Sequence, residues 1–230
     1  MKFAALVFGL LLVATAVYAE DSSHMFSTVP ANVPEVRDMF YCQTPSAGWN
    51  AFNGSSGFAS EMADDIPSQY QGQEVCDVTL YVAEWGGGWS NPASMIVNFY
   101  NQACPPNMTP DYHFDVSWAN CTATLLYAGS WYVYQVDIPL PSSVFVGPTM
   151  SIGGIVGNTW GQNAPYCGLC VTDYVSGCGE VYWDGAYWGA PRWTPGSYYF
   201  GIYADLAYCI GCMGVPTQNT TWGQIRGLFR

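Results

Sequence analysis

From about Tyr41 onward the chain alternates short apolar runs with clusters of turn-forming residues. Over residues 75–82, Val78, Leu80 and Val82 fall in one phase, and Asp77, Thr79 and Tyr81 in the other. Residues 95–100 form a compact apolar run, and Phe114, Val116 and Trp118 alternate with Asp115 and Ser117. Tyr132, Tyr134, Val136 and Ile138 share a phase within 131–138, and the runs 150–156 and 198–203 complete the clearest set. Gly86-Gly87-Gly88, Asn91-Pro92, Pro105-Pro106 and Gly153-Gly154 break the chain between these runs. Apolar residues recurring every second position between such breakers predict strands. No window of the domain carries the 3.6-residue stripe of an amphipathic helix. The expected fold class is therefore all-β, an antiparallel, jelly-roll-like sandwich. No repeat of fixed period is present.

The two ends differ from this texture. Met1-Lys2, an uncharged apolar run over 3–17 and Val17-Tyr18-Ala19 before Glu20-Asp21 have the order of a cleavable secretory signal. The run is short for a bilayer span, which needs about 20 apolar residues. The expected organisation is a signal peptide over 1–19, a polar leader over 20–40, a β domain over 41–212 and a tail over 213–230. In that tail Trp222, Ile225 and Phe229 fall at helical spacing behind a capping Thr220 or Thr221. Such a tail suits docking on a partner, on an export machine or on its own domain. No second long apolar run occurs, so no transmembrane segment is expected in the mature chain.

Export changes the reading of charge and of cysteine. The whole chain carries −12. Removing Lys2 leaves four arginines against 17 carboxylates, a net of −13. Nucleic acid is excluded as a partner, since phosphate binding needs basic side chains. An anionic membrane surface is disfavoured for the same reason. Nine cysteines remain: Cys42, Cys76, Cys104, Cys121, Cys167, Cys170, Cys178, Cys209 and Cys212. In an oxidising compartment they pair, with up to four bridges and one thiol over. Cys104 with Cys121, and a cluster among the last five, are the expected pairings. Cys167-Gly-Leu-Cys170 and Cys209-Ile-Gly-Cys212 would together offer a tetrahedral Zn²⁺ site, but export favours disulfides over zinc, and redox activity ranks below both.

Ala63-Asp64-Asp65-Ile66-Pro67, Tyr134-Gln135-Val136-Asp137-Ile138, Trp183-Asp184-Gly185 and Asp205-Leu206-Ala207-Tyr208 occur in that order. The order resembles bacterial extracellular β-sandwich domains that open on an "ADDF" segment and close on a "DLAF" strand, with Ile66 and Tyr208 in place of the two Phe. The resemblance spans about residues 60–210. It implies a secreted, surface-associated sandwich without assigned catalysis, and a sorting or attachment element over 216–230.

Two further constellations can carry chemistry. Asp64, Asp65 and Asp205, with Glu61 beside them, are candidate ligands for a structural Ca²⁺, which takes six to eight oxygens. Trp85, Trp89, Tyr182, Trp183, Tyr187, Trp188 and Trp193 are candidate sugar-stacking residues, because an aromatic face meets the apolar face of a pyranose. The competing reading for each is ordinary: turn solvation for the acids, core packing for the rings. His24 lies in the leader and His113 is alone, so no histidine-based triad is expected. Sequons occur at Asn53, Asn107, Asn120 and Asn219. The leading expectation is a non-catalytic secreted or cell-surface protein acting in adhesion, surface attachment or extracellular assembly. Its partner would be a surface polysaccharide or other copies of itself. A carbohydrate-binding module using the Trp/Tyr loops is the alternative, and a glycan-active hydrolase the third.

Overall fold

The computed structural model describes residues 26–29, 39–46, 49–85, 91–129, 131–157, 167–173, 177–186 and 189–212. The organising strand is β5 (Glu74–Glu84). Its Val78, Leu80 and Val82 enter the core between the two sheets, as their shared phase predicts. Its other face is buried too. Tyr81 and Ala83 pack with Ala51, Val133, Cys170 and Cys209 in a second apolar cluster, while Asp77 and Thr79 keep the same phase polar earlier in the strand, Thr79 Oγ1 donating to Asp137 Oδ1 at 2.6 Å.

Around β5 runs a nine-stranded antiparallel sheet. One edge of β5 pairs along its length with β9 (Tyr132–Phe145), and β8 (Thr122–Ala128) adds outside β9. The opposite edge takes two strands in succession. β11 (Cys167–Thr172) pairs with its C-terminal part, and β15 (Tyr208–Gly211) with its middle. β3 (Trp49–Asn53) lies beside β11 with β1 (Phe26–Val29) outside it, and β2 (Met39–Gln43) lies beside β15. The two-residue β14 (Asp205–Leu206) also pairs with β11.

The second sheet has six strands. Its order is β13 (Thr194–Pro195), β12 (Tyr182–Gly185), β4 (Ser60–Asp65), β10 (Ser151–Gly157), β6 (Ser94–Tyr100) and β7 (Tyr112–Ser117). Met62, Met95, Phe99, Ile152 and Trp183 point from it into the inter-sheet core. The expected all-β sandwich is what forms. Two runs depart from expectation. Residues 196–200 form a short helix α1 (Gly196–Phe200), closed by Gly201 in the left-handed region at φ 68°, where a strand was expected over 198–203. Trp118 leaves β7 to start a 3-10 turn over Trp118–Asn120.

Three disulfides staple the sandwich. Cys42–Cys209 joins β2 to β15 at directly paired positions. Cys76–Cys212 ties β5 to the residue after β15, and Cys104–Cys178 joins two loops at one end. Cys121, Cys167 and Cys170 are not joined in disulfides. The expected Cys104–Cys121 bridge is thus replaced by Cys104–Cys178, and no bridge links two of the last five cysteines. The reason is strand geometry. Cys167 and Cys170 are three residues apart on β11, so they point to opposite faces: one enters the inter-sheet core, the other the outer cluster. Cys209 and Cys212 are both engaged elsewhere, so the two CxxC pairs never assemble as four thiols for Zn²⁺. Among the described residues no helix is long and apolar enough to cross a membrane.

Candidate functional site

The outer face of the six-stranded sheet carries a row of polar side chains that crosses five strands. The row starts on β4, where Glu61 and Ala63 face outward while Met62 faces the core. Asp184 on β12 sits directly opposite Glu61. On the other side of β4, β10 contributes Gly153, which has no side chain to block the way. A Cβ there would lie 2.1 Å from Glu61 Oε1. Glu61 therefore reaches across β10 to β6. Its Oε1 accepts from Asn98 Nδ2 and from the Tyr100 hydroxyl, each at 2.8 Å. Asn98 is in turn paired with His113 of β7, whose Nδ1 lies 2.7 Å from Asn98 Oδ1. The amide nitrogen is committed to the carboxylate, so its oxygen must accept. His113 Nδ1 then carries the proton, and Nε2 is left for solvent or a ligand.

Arg192 closes the row from above. Its Nε lies 3.3 Å from Asp184 Oδ2, and a terminal nitrogen lies 3.9 Å from Glu61 Oε2. It is the one lysine or arginine among the described residues, and two carboxylates converge on it. Its guanidinium also lies 5.2 Å from the Trp193 ring centre, within cation–π range. Trp193 meets Tyr100 edge-on at 5.3 Å and donates from Nε1 to Asn107 O at 2.8 Å. These contacts hold Trp193 at φ 58°, a left-handed backbone costing a bulky residue roughly 1–2 kcal/mol.

The electrostatics follow from burial. Glu61 is pushed up to about 7, chiefly by desolvation and against the lowering effect of its hydrogen bonds and of Arg192. Desolvation also raises Asp184, with Arg192 opposing. Tyr100 is raised by burial and by the adjacent carboxylate. The floor of the row is buried, while Arg192 and His113 are exposed and Asp184 and Tyr182 half-buried at its rim.

Among the described residues, the sugar-stacking set does not come together as one platform. Trp183 is fully buried between the sheets and donates from Nε1 to Asn53 O at 2.9 Å. Trp193 is 95% covered, its relative exposure being 5%. Strand alternation explains the difference between neighbours: Tyr182 and Asp184 face out, so Trp183 faces in. Trp85 is half-buried at the end of β5 in the other sheet, 5.8 Å from Trp131. Tyr182 alone of the described set joins the polar row. Trp89, Tyr187, Trp188, Trp222, Ile225 and Phe229 lie outside the described residues, as do the signal segment and the tail.

The calcium set is likewise divided. Asp64 and Asp65 are consecutive on β4 and point to opposite faces. Asp64 is wholly buried and accepts from Gln43 Nε2 at 3.2 Å, from Leu206 N at 2.8 Å and from Asp65 N at 2.8 Å. Burial, and then the nearby Asp205, hold its carboxyl well above the usual range. It joins β4 to β14 by hydrogen bonds, so the opening and closing acidic motifs do meet in space. Asp65 instead accepts from Cys178 N at 2.8 Å on the far side. Two further acid–sulfur groupings, Asp65 with Cys104 and Cys178 and Glu74 with Cys76 and Cys212, have their sulfurs locked in disulfides. Of the sequons, Asn53 is fully buried and unsuited to carry a glycan.

Sequence reasoning placed Glu61 beside the wrong partners and missed Asn98, Tyr100, His113 and Arg192 as a group. Asn98, Tyr100 and His113 share only an outward strand phase, visible once the strand pairing is known, and Arg192 comes from the turn before β13. No known protein family, curated protein or solved structure matches the chain.

Proposed function

We propose that the protein is a secreted, non-catalytic β-sandwich that attaches to extracellular polysaccharide through the outer face of its six-stranded sheet. The observation that carries this reading is the polar row on that face, in which Glu61 and Asn98 form a buried floor and Asp184, Arg192, His113 and Tyr182 an accessible rim. With strands about 4.8 Å apart, the rim groups on β12 and β7 are separated by the three strands β4, β10 and β6, a span that several sugar units of an extended chain would cover, with Asp184, Arg192 and His113 offering hydrogen bonds to its hydroxyls. The groups are held rigid by one another, which lowers the ordering cost of binding. The ion-pair network favours recognition over hydrolysis: both Glu61 oxygens are engaged, and Arg192 pairs with the same two carboxylates, Glu61 and Asp184, that would have to flank a scissile bond. Three disulfides and an acidic surface suit an extracellular setting, as does the resemblance to bacterial surface sandwiches.

The test is retention on a panel of insoluble polysaccharides and a glycan array, using the chain without residues 1–19. We expect selective binding that falls about tenfold or more in the double variant Tyr182→Ala/His113→Ala, as loss of a stacking ring and a hydrogen bond implies. A folded protein, checked by circular dichroism, that binds nothing on either panel would sink the reading.

A further inference from the structure

One end of the sandwich holds a cavity of about 440 Å³. It lies away from the polar row, where β4 ends and the loops after β6 and β9 meet residues 177–178. Tyr41, Pro67 and Pro148 supply apolar walls, and Asp65, Gln69 and Thr149 supply polar ones. The Cys104–Cys178 disulfide forms part of the lining.

The rim is built to hold its shape. The disulfide links the loop after β6 to that before β12. Asp65 is anchored by Cys178 N, and its own carbonyl accepts from the Tyr208 hydroxyl at 2.8 Å. Ile66 N donates to Met150 O at 2.8 Å, and Thr149 Oγ1 to Asn101 O at 3.3 Å. Gly177 sits at φ +45°, and a Cβ there would fall 1.8 Å from Asp65 Oδ2, so only glycine lets the loop pass this close to the carboxylate. A concave, preformed space of this size with a few converging polar groups has the features of a small-ligand site.

The lining narrows the ligand class. Among the described residues no basic group lines the cavity, and Asp65 repels anions. A wholly apolar ligand would gain nothing from the second Asp65 oxygen, the Gln69 amide or the Thr149 hydroxyl at the wall. A phenol ring, two prolines, a carboxylate, an amide and a hydroxyl together match a neutral pyranose, which stacks through its C–H face and donates and accepts through its hydroxyls. We infer that this cavity is a second, separate binding site, for one or two neutral sugar units entering as a chain end. It does not depend on the outer face of the six-stranded sheet, and either site can fail its test while the other passes.

The experiment is ligand-observed NMR and calorimetry on the folded chain with the methyl glycosides of glucose, galactose and mannose, and with the matching amino sugars and uronic acids. At least one neutral glycoside is expected to bind in the millimolar range, and uronic acids about tenfold or more weaker, consistent with an unpaired buried charge. Ser68 and Gln69 are exposed, so substitutions there spare the core. Ser68→Trp, which fills the mouth, should abolish binding, and Gln69→Ala should weaken it about fivefold, the loss of one hydrogen bond. Tyr182→Ala should leave it unchanged. Absence of binding by every neutral glycoside, binding insensitive to Ser68→Trp, or binding of amino sugars alone would each overturn the assignment.

Discussion

At the scale of single residues, Glu61 concentrates the physics of this molecule. Its carboxyl titrates at about 7 in the folded protein against an ordinary 4.5. The native state therefore holds this proton more tightly than the unfolded chain does. Glu61's contribution to stability is full below pH 4.5, is lost as pH rises toward 7 and then levels off. The difference corresponds to at most about 3 kcal/mol. Asp64 is displaced in the same direction, so both groups make the fold firmer in mild acid. Glu61→Gln keeps an acceptor for Asn98 and Tyr100 and removes the charge. We expect it to raise the melting temperature at pH 8 and to flatten the rise in melting temperature between pH 8 and pH 5, as scanning calorimetry at several pH values would report. An unchanged pH profile would contradict this account. Little of it was legible beforehand. Glu61 was visible as an acid near Asp64 and Asp65, but one residue of offset on a strand decides the face. The odd, three-residue offset between them gives Glu61 to the outer row and Asp64 to the interior.

Elements were legible where one face is apolar and the other polar. β5, β7 and β9 announced themselves by alternation, and β6 and β10 as apolar runs. β4 and β11 did not, because both faces are buried and acids or cysteines stand where alternation would need apolar residues. The run over 198–203 reads equally as strand or helix by composition. Gly201 in the left-handed region closes it as a helix, a signal that a lone glycine in a glycine-rich chain does not make distinctive. The segment between β12 and β13 is held by Trp193, whose ring packs on Tyr100 and whose Nε1 bonds to Asn107 O. Trp193→Ala keeps the left-handed backbone and loses both contacts. It should cost about 3 kcal/mol, in line with other buried aromatic truncations, seen as a lower urea midpoint. A change within about 0.5 kcal/mol, typical of a surface position, would show that this segment is not held as described.

For the whole molecule, fold class followed from pattern, but connectivity did not. Pairing nine cysteines requires knowing which strands are neighbours, and those neighbours lie far apart in sequence: Cys42 and Cys209 are 167 positions apart. The unbridged cysteines are equally a product of architecture. Cys167 and Cys170 are buried on opposite faces of one strand, and Cys121 is half-buried, with its thiol pushed up to about 11 by desolvation. Alkylation of the unfolded, unreduced protein should therefore modify Cys121, Cys167 and Cys170, with the other six cysteines protected; peptide mapping that finds Cys104 linked to Cys121 would refute the arrangement. One consequence of the staples is mechanical. β15 is bracketed by Cys209–Cys42 within it and Cys212–Cys76 just beyond it. Tension arriving from residue 213 onward enters β5 covalently through Cys76 before it can unzip β15. The load is handed to the central strand of the large sheet, so the domain would bear a sustained pull at that end without losing its last strand.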